Sequence, residues 1–121
     1  MFDIVKYLDA PFSDPAMTVT HGPYDFAIRR LNGAERLIFN DLPNQYERVK
    51  FALANALLTS PDNRAIGESA ALKLLERSGA LAEALFNDIY DLTERSLQEE
   101  IKLWNDVKKK SNEENSTSTN S

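Results

Sequence analysis

Leu81, Leu85, Ile89 and Leu92 recur at spacings of three and four, the polar residues 93–96 break the pattern, and Leu97, Ile101 and Trp104 resume it. Residues so spaced share one face of an α-helix. This stripe constrains the fold more than any other feature, because a helix carrying all of it outreaches the core of a small domain. Either the helix bends at 93–96, or the core ends near Leu92. In the second case Leu97, Ile101 and Trp104, with Leu103 and Val107 beside them, project beyond the domain. An apolar stripe left bare is a liability, so it is expected to meet another subunit or a partner. Trp104 is the side chain best suited to anchor such a contact. The alternative is that it folds back over the core.

With 121 residues, the chain suffices for one core and not comfortably for two. Hydrophobic residues make up 42% and charged residues 27%, as in ordinary globular domains. A single helical domain is expected over 1–108. Residues 109–121 contain no apolar side chain and are expected to form a disordered tail. Cysteine is absent, which excludes disulfides and thiolate metal sites and leaves packing to hold the fold. No apolar run approaches the roughly 18 residues of a membrane span, and the first residues lack the basic and apolar regions of a signal peptide. A soluble, cytoplasmic protein with no membrane partner is the expectation.

The fold class expected is mainly α, a compact helical domain with a short N-terminal β-hairpin and a long C-terminal helix. Residues 2–8 form a short amphipathic helix ended by Pro11. So short a helix cannot stand alone, so Phe2, Val5 and Leu8 must dock on the chain's own core or on a neighbouring subunit. Met17 and Val19 alternate with threonines, and Tyr24, Phe26 and Ile28 alternate with Asp25, Ala27 and Arg29. Two strands joined at 21–23 satisfy that pattern. A helix through 17–31 competes, since Ala27, Arg29, Arg30 and Leu31 are good helix formers. Asn32 can cap the next helix, with Glu35 closing a capping box and Leu37, Ile38 and Leu42 facing inward. After Pro43, the stretch NQYERVKFALANALLTS reads as one helix with Tyr46, Val49, Leu53, Ala56 and Leu57 in a stripe, ended by Ser60 and Pro61. Another helix is expected from about Ala65 to Arg77, anchored by Leu72 and Leu75.

Chemistry is sparse. His21 is the only histidine and sits beside Gly22 and Pro23, where it reads as a turn residue. Asp88, Asp91 and Glu94 lie on neighbouring turns but lack the oxygen-rich loop or histidine partner of a cation site. Neither a phosphate-binding glycine loop nor a nucleophile elbow is present, so no catalytic residue, cofactor site or metal site is assigned and an enzyme is not expected. A net charge of −5 argues against nucleic acid as the main partner. Arg29, Arg30 and Arg36 read as a solvated face, and Lys108, Lys109 and Lys110 complement the negative end of a helix dipole.

The stretch FAIRRLNGAERLIFNDL combines Arg30 and Leu31, the small polar pair containing Gly33, and a helix opening near Glu35. It resembles the tail assembly chaperones of long-tailed siphophages, closely over 26–42 and elsewhere in length, acidic balance and helical layout. The resemblance implies a non-enzymatic bacteriophage protein of virion morphogenesis, acting in the host cell cytoplasm. It also implies binding to the tape measure protein and self-association into a higher-order homo-oligomer that supports viral tail assembly. Many such proteins are made in two forms, the longer by ribosomal frameshifting. Consecutive lysine codons at Lys108, Lys109 and Lys110 would suit such a slip, and the apolar-free tail would then be the unslipped reading. The partner or oligomer contacts expected are Phe2, Val5, Leu8, Leu97, Ile101, Trp104 and Val107, with the frameshifted longer form as a further partner. Two other readings remain: a small dimeric regulator that places Arg29, Arg30 and Arg36 on nucleic acid, and a head–tail connector subunit.

Overall fold

A computed structural model describes residues 1–10, 15–59 and 62–115, with the backbone alone from 107 onward. The elements are α1 (Ile4–Asp9), β1 (Met17–His21), β2 (Tyr24–Ile28), α2 (Gly33–Asp41), α3 (Gln45–Ala56), β3 (Leu57–Leu58), α4 (Gly67–Arg77) and α5 (Gly79–Asn115). The protein is mainly α, with one small antiparallel sheet in the order β1-β2-β3.

The segment 17–31 resolves as the hairpin. Its strands pair from Met17 with Ile28 to His21 with Tyr24, so Gly22 and Pro23 alone make the turn. Two-residue hairpin loops need a positive φ at the first or both central positions, and Gly22 has φ +60. A Cβ built on Gly22 meets nothing within 4 Å. The cost of Gly22→Ala is therefore backbone strain alone, expected at about 1–2 kcal/mol in urea unfolding. An unchanged midpoint would show that the turn does not need a left-handed residue.

Asn32 caps α2 as expected. Its side chain accepts from the Glu35 amide at 2.8 Å, and Glu35 accepts from the Asn32 amide at 3.0 Å. The inward face differs from the expectation, however. Leu37 and Ile38 are exposed and Phe39 is buried, because the short helix turns one aromatic residue onto α5 rather than a leucine stripe. In α3, Val49, Leu53 and Ala56 are buried while Tyr46, in the first turn, is exposed. The helix also stops at Ala56, four residues before Ser60. Leu57 and Leu58 leave it to pair with Ile28 and Ala27, forming a third strand that the sequence pattern did not signal. Here β2 offers an open edge, and pairing there buries Leu57 while giving the Arg29 amide the Ala56 carbonyl at 2.9 Å. Tertiary pairing thus overrides helix propensity. Ser60 and Pro61, like Pro11, lie outside the described residues.

Helix α4 begins at Gly67, two residues later than expected, after the Ile66 amide has bonded back to the Leu57 carbonyl. Its anchor is Ala71, fully buried, with Leu75 half-buried and Leu72 exposed. A small residue there lets α4 lie close against α3. Ser78 then ends α4 and opens α5, its hydroxyl accepting from the Leu81 amide.

Helix α5 closes the core. Leu85 and Ile89 are fully buried beside Ala82 and Phe86, in one cluster with Ile28, Leu53 and Leu57. The last residue buried among those whose side chains are described is Thr93, whose hydroxyl donates to the Ile89 carbonyl at 2.7 Å and accepts from the Leu31 amide at 3.0 Å. That one side chain ties the exit of β2 to α5. The polar break at 93–96 is therefore the place where the core ends, and the helix does not stop there. It continues to Asn115, about 33 Å further at 1.5 Å per residue and past the boundary expected at 108. Residues 116–121 lie outside the described residues.

Candidate functional site

Beyond Thr93 the apolar side chains of α5 have no core to enter. Leu97 is half-buried; Ile101, Leu103 and Trp104 are exposed. What meets them is α1. This helix is six residues long, capped by Asp3, whose carboxylate accepts from the Lys6 amide, and it buries none of its residues. Phe2 and Tyr7 set their rings edge-on to Trp104, at 6.0 and 6.1 Å between centroids, and lie 5.5 Å from each other. Each such pair contributes about 0.5–1.5 kcal/mol, enough to seat a strap but not to bury it.

The N-terminal segment and the distal part of α5 thus meet at Trp104, and both carry exposed apolar side chains: Phe2, Ile4, Val5 and Leu8 on the first, and Ile101 and Trp104, with Leu103 on another face of the helix, on the second. Trp104 does not fold back over the core, and it retains 42% exposure even with two rings against it. Of the contact residues expected from sequence, Phe2 and Trp104 are in direct contact; Val5 and Leu8 share α1, and Ile101 lies within a turn of Trp104. Leu97 sits nearer the body. The side chains of Val107, Lys108, Lys109 and Lys110 lie outside the described residues. Tyr7 was missed; an aromatic ring in a seven-residue amphipathic segment was the available signal.

The residues of the resemblance stretch do structural work at the joint between β2 and α2. Leu31 is buried and its amide is held by Thr93, while Gly33 opens α2. Glu35 receives both arms of the Arg29 guanidinium at 2.8 Å in addition to the Asn32 amide. Burial pushes the Glu35 carboxyl up, but the Arg29 hydrogen bonds, the Asn32 amide and the Arg29 charge outweigh it, and its pKa is lowered overall. A carboxylate with a lowered folded pKa contributes stability that is fully present above its unfolded value and is lost as pH falls through the folded one. Thermal scans should show Tm falling as pH drops below about 4.3, and Glu35→Gln should flatten that slope. Parallel slopes for the two proteins would remove Glu35 from the acid response.

Other charged candidates are likewise engaged. Arg36 reaches Glu94 at 3.3 Å, and Lys50 bridges Glu47 on its own helix and Glu68 on α4. His21, the last residue of β1 rather than a turn residue, meets Asp88 at 2.5 Å and ties the hairpin to α5. Asp88 and Glu94 therefore serve different partners. Among the described residues, no group of three histidine or carboxylate side chains could hold a metal ion. Among them, too, no helix is long and apolar enough to cross a membrane. No family model, curated protein or solved structure matches the chain.

Proposed function

We propose that the protein is a non-enzymatic assembly chaperone of a long-tailed bacteriophage, binding the tape measure protein and associating with copies of itself in the host cytoplasm. The observation that carries this reading is the apolar surface of α1 and distal α5, held clear of a core that closes at Thr93. A body with its own core needs no partner to fold, so a second apolar surface is available for docking on a helical client. The stretch over 26–42 supplies the link to tail assembly chaperones. Acidic net charge keeps the unassembled pool dispersed.

The nucleic-acid reading finds less support, since Arg29 and Arg36 are committed to Glu35 and Glu94. Phosphate binding would have to break both pairs. The chaperone reading is tested by expressing the native gene with its downstream DNA and probing with an antibody to residues before Lys108. A minor longer product that disappears when the three lysine codons are silently recoded is the expected result. Co-purification of both forms with the tape measure protein completes it. A single product that leaves the tape measure protein unbound would overturn the reading.

A further inference from the structure

A second site lies away from the α1 surface, where α2, α3 and α5 converge. Phe39, Phe86 and Tyr90 form an aromatic cluster there, their centroids 6.0 to 6.2 Å apart. Phe39 and Phe86 are almost buried and make a floor, while Tyr90 stands 44% exposed as a wall. Beside this floor opens a cleft of about 400 Å³ whose polar lining residues are Asn40, Gln45, Asn87 and Arg48.

Those four polar side chains are not engaged by other side chains among the described residues. His21, Arg29, Arg36 and Lys50 all meet carboxylates within the protein. Arg48, half-buried, meets none among the described residues, and none of the three carboxamides bonds another side chain there. An aromatic floor with a few convergent polar groups is the usual make-up of a binding site.

We infer that this cleft binds a peptide segment carrying an aromatic or large apolar side chain next to a carboxylate. The ring would lie on Phe39 and Phe86 against Tyr90. Carboxamides both donate and accept, which matches the alternating N–H and C=O of a main chain. Arg48 supplies the single positive charge, suited to bidentate capture of one carboxylate. A nucleic acid strand presents repeated phosphates and would need several cations, on a chain whose net charge is −5. The cleft is open along its side, so it takes part of a longer chain rather than enclosing a small molecule. This site stands independently of the chaperone reading, because it shares no residue with the α1 and α5 surface.

The test uses the full chain and two dye-labelled nonapeptides, one alternating phenylalanine with aspartate and one with asparagine in place of aspartate. Fluorescence polarisation should give the acidic peptide about tenfold tighter binding, the worth of one charge-assisted hydrogen-bonded pair. Amide NMR shifts should cluster at Asn40, Arg48, Asn87 and Tyr90. Arg48→Gln should abolish the preference with unchanged circular dichroism, and Asn87→Ala should weaken both peptides while keeping the preference. Equal affinity for the two peptides, shifts centred on α1 and Trp104, or displacement by a single-stranded oligonucleotide at the same residues would each overturn the assignment.

Discussion

Leu85→Ala should lower the unfolding free energy by about 3–5 kcal/mol, the range for removing a leucine from a packed site that cannot collapse. Leu85 is fully buried in the cluster formed with Ile28, Leu53 and Ile89. The cluster draws residues from β2, α3, β3, α4 and α5, so the void would be enclosed by several elements. Against a total stability of about 5–15 kcal/mol for a domain this size, that loss brings the variant close to unfolding at physiological temperature. Leu37→Ala provides the contrast. Leu37 belongs to the face the sequence assigned to the core but is 70% exposed, so its loss should stay within about 0.5 kcal/mol. Urea titration of both variants measures the difference. Equal losses would mean that α2 presents Leu37, not Phe39, to the core.

The second large effect concerns association. Ile101→Ala combined with Trp104→Ala should weaken self-association at least about thirtyfold, because truncating an interface aromatic anchor commonly costs about 2 kcal/mol or more. Helicity should barely change, since neither residue belongs to the core. Trp104 also seats α1 through Phe2 and Tyr7, so the double variant releases the strap as well. Phe2→Ala separates the two contributions by loosening α1 while leaving α5 intact. A smaller loss for Phe2→Ala would place the anchor on α5, and an equal loss would place it on the strap. Size-exclusion chromatography with light scattering over a concentration series reads all three proteins.

Much of this architecture was legible where local signals agree. The capping box at Asn32 and Glu35 has a fixed three-residue spacing and a mechanism, and it appears as read. Period-two alternation around Gly22 allowed a hairpin but left a helix open, and the structure resolves it as the hairpin, whose two-residue turn takes a positive φ at Gly22. The polar break at 93–96 allowed either a bend or the end of the core, and the structure shows the second, since a long helix can keep its backbone bonds in water while its apolar face loses its partner.

What stayed hidden depended on contacts between distant segments. Leu57 and Leu58 continue a helical stripe, and only the open edge of β2 makes them a strand. Ala71 anchors α4 because close approach favours a small residue, which hydrophobicity alone ranks below Leu72. For the interaction surface, the sequence pointed to both ends of the chain, Phe2, Val5 and Leu8 at one and Leu97, Ile101 and Trp104 at the other. It did not reveal that the two ends meet at Trp104, since the aromatic contacts join residues about a hundred positions apart. The joining ring, Tyr7, went unremarked for the same reason. The cleft at Arg48 had no sequence signature, because three helices assemble it and no spacing within one of them encodes it.

The most direct test of the central claim is sedimentation equilibrium of the intact chain and the Ile101→Ala, Trp104→Ala variant, side by side at micromolar concentration. The account predicts a wild-type mass of several chains and a variant mass close to one, with matching circular dichroism. A wild type that stays monomeric, or a variant that associates as strongly as the wild type, would contradict the assignment of the α1 and distal α5 surface to self-association.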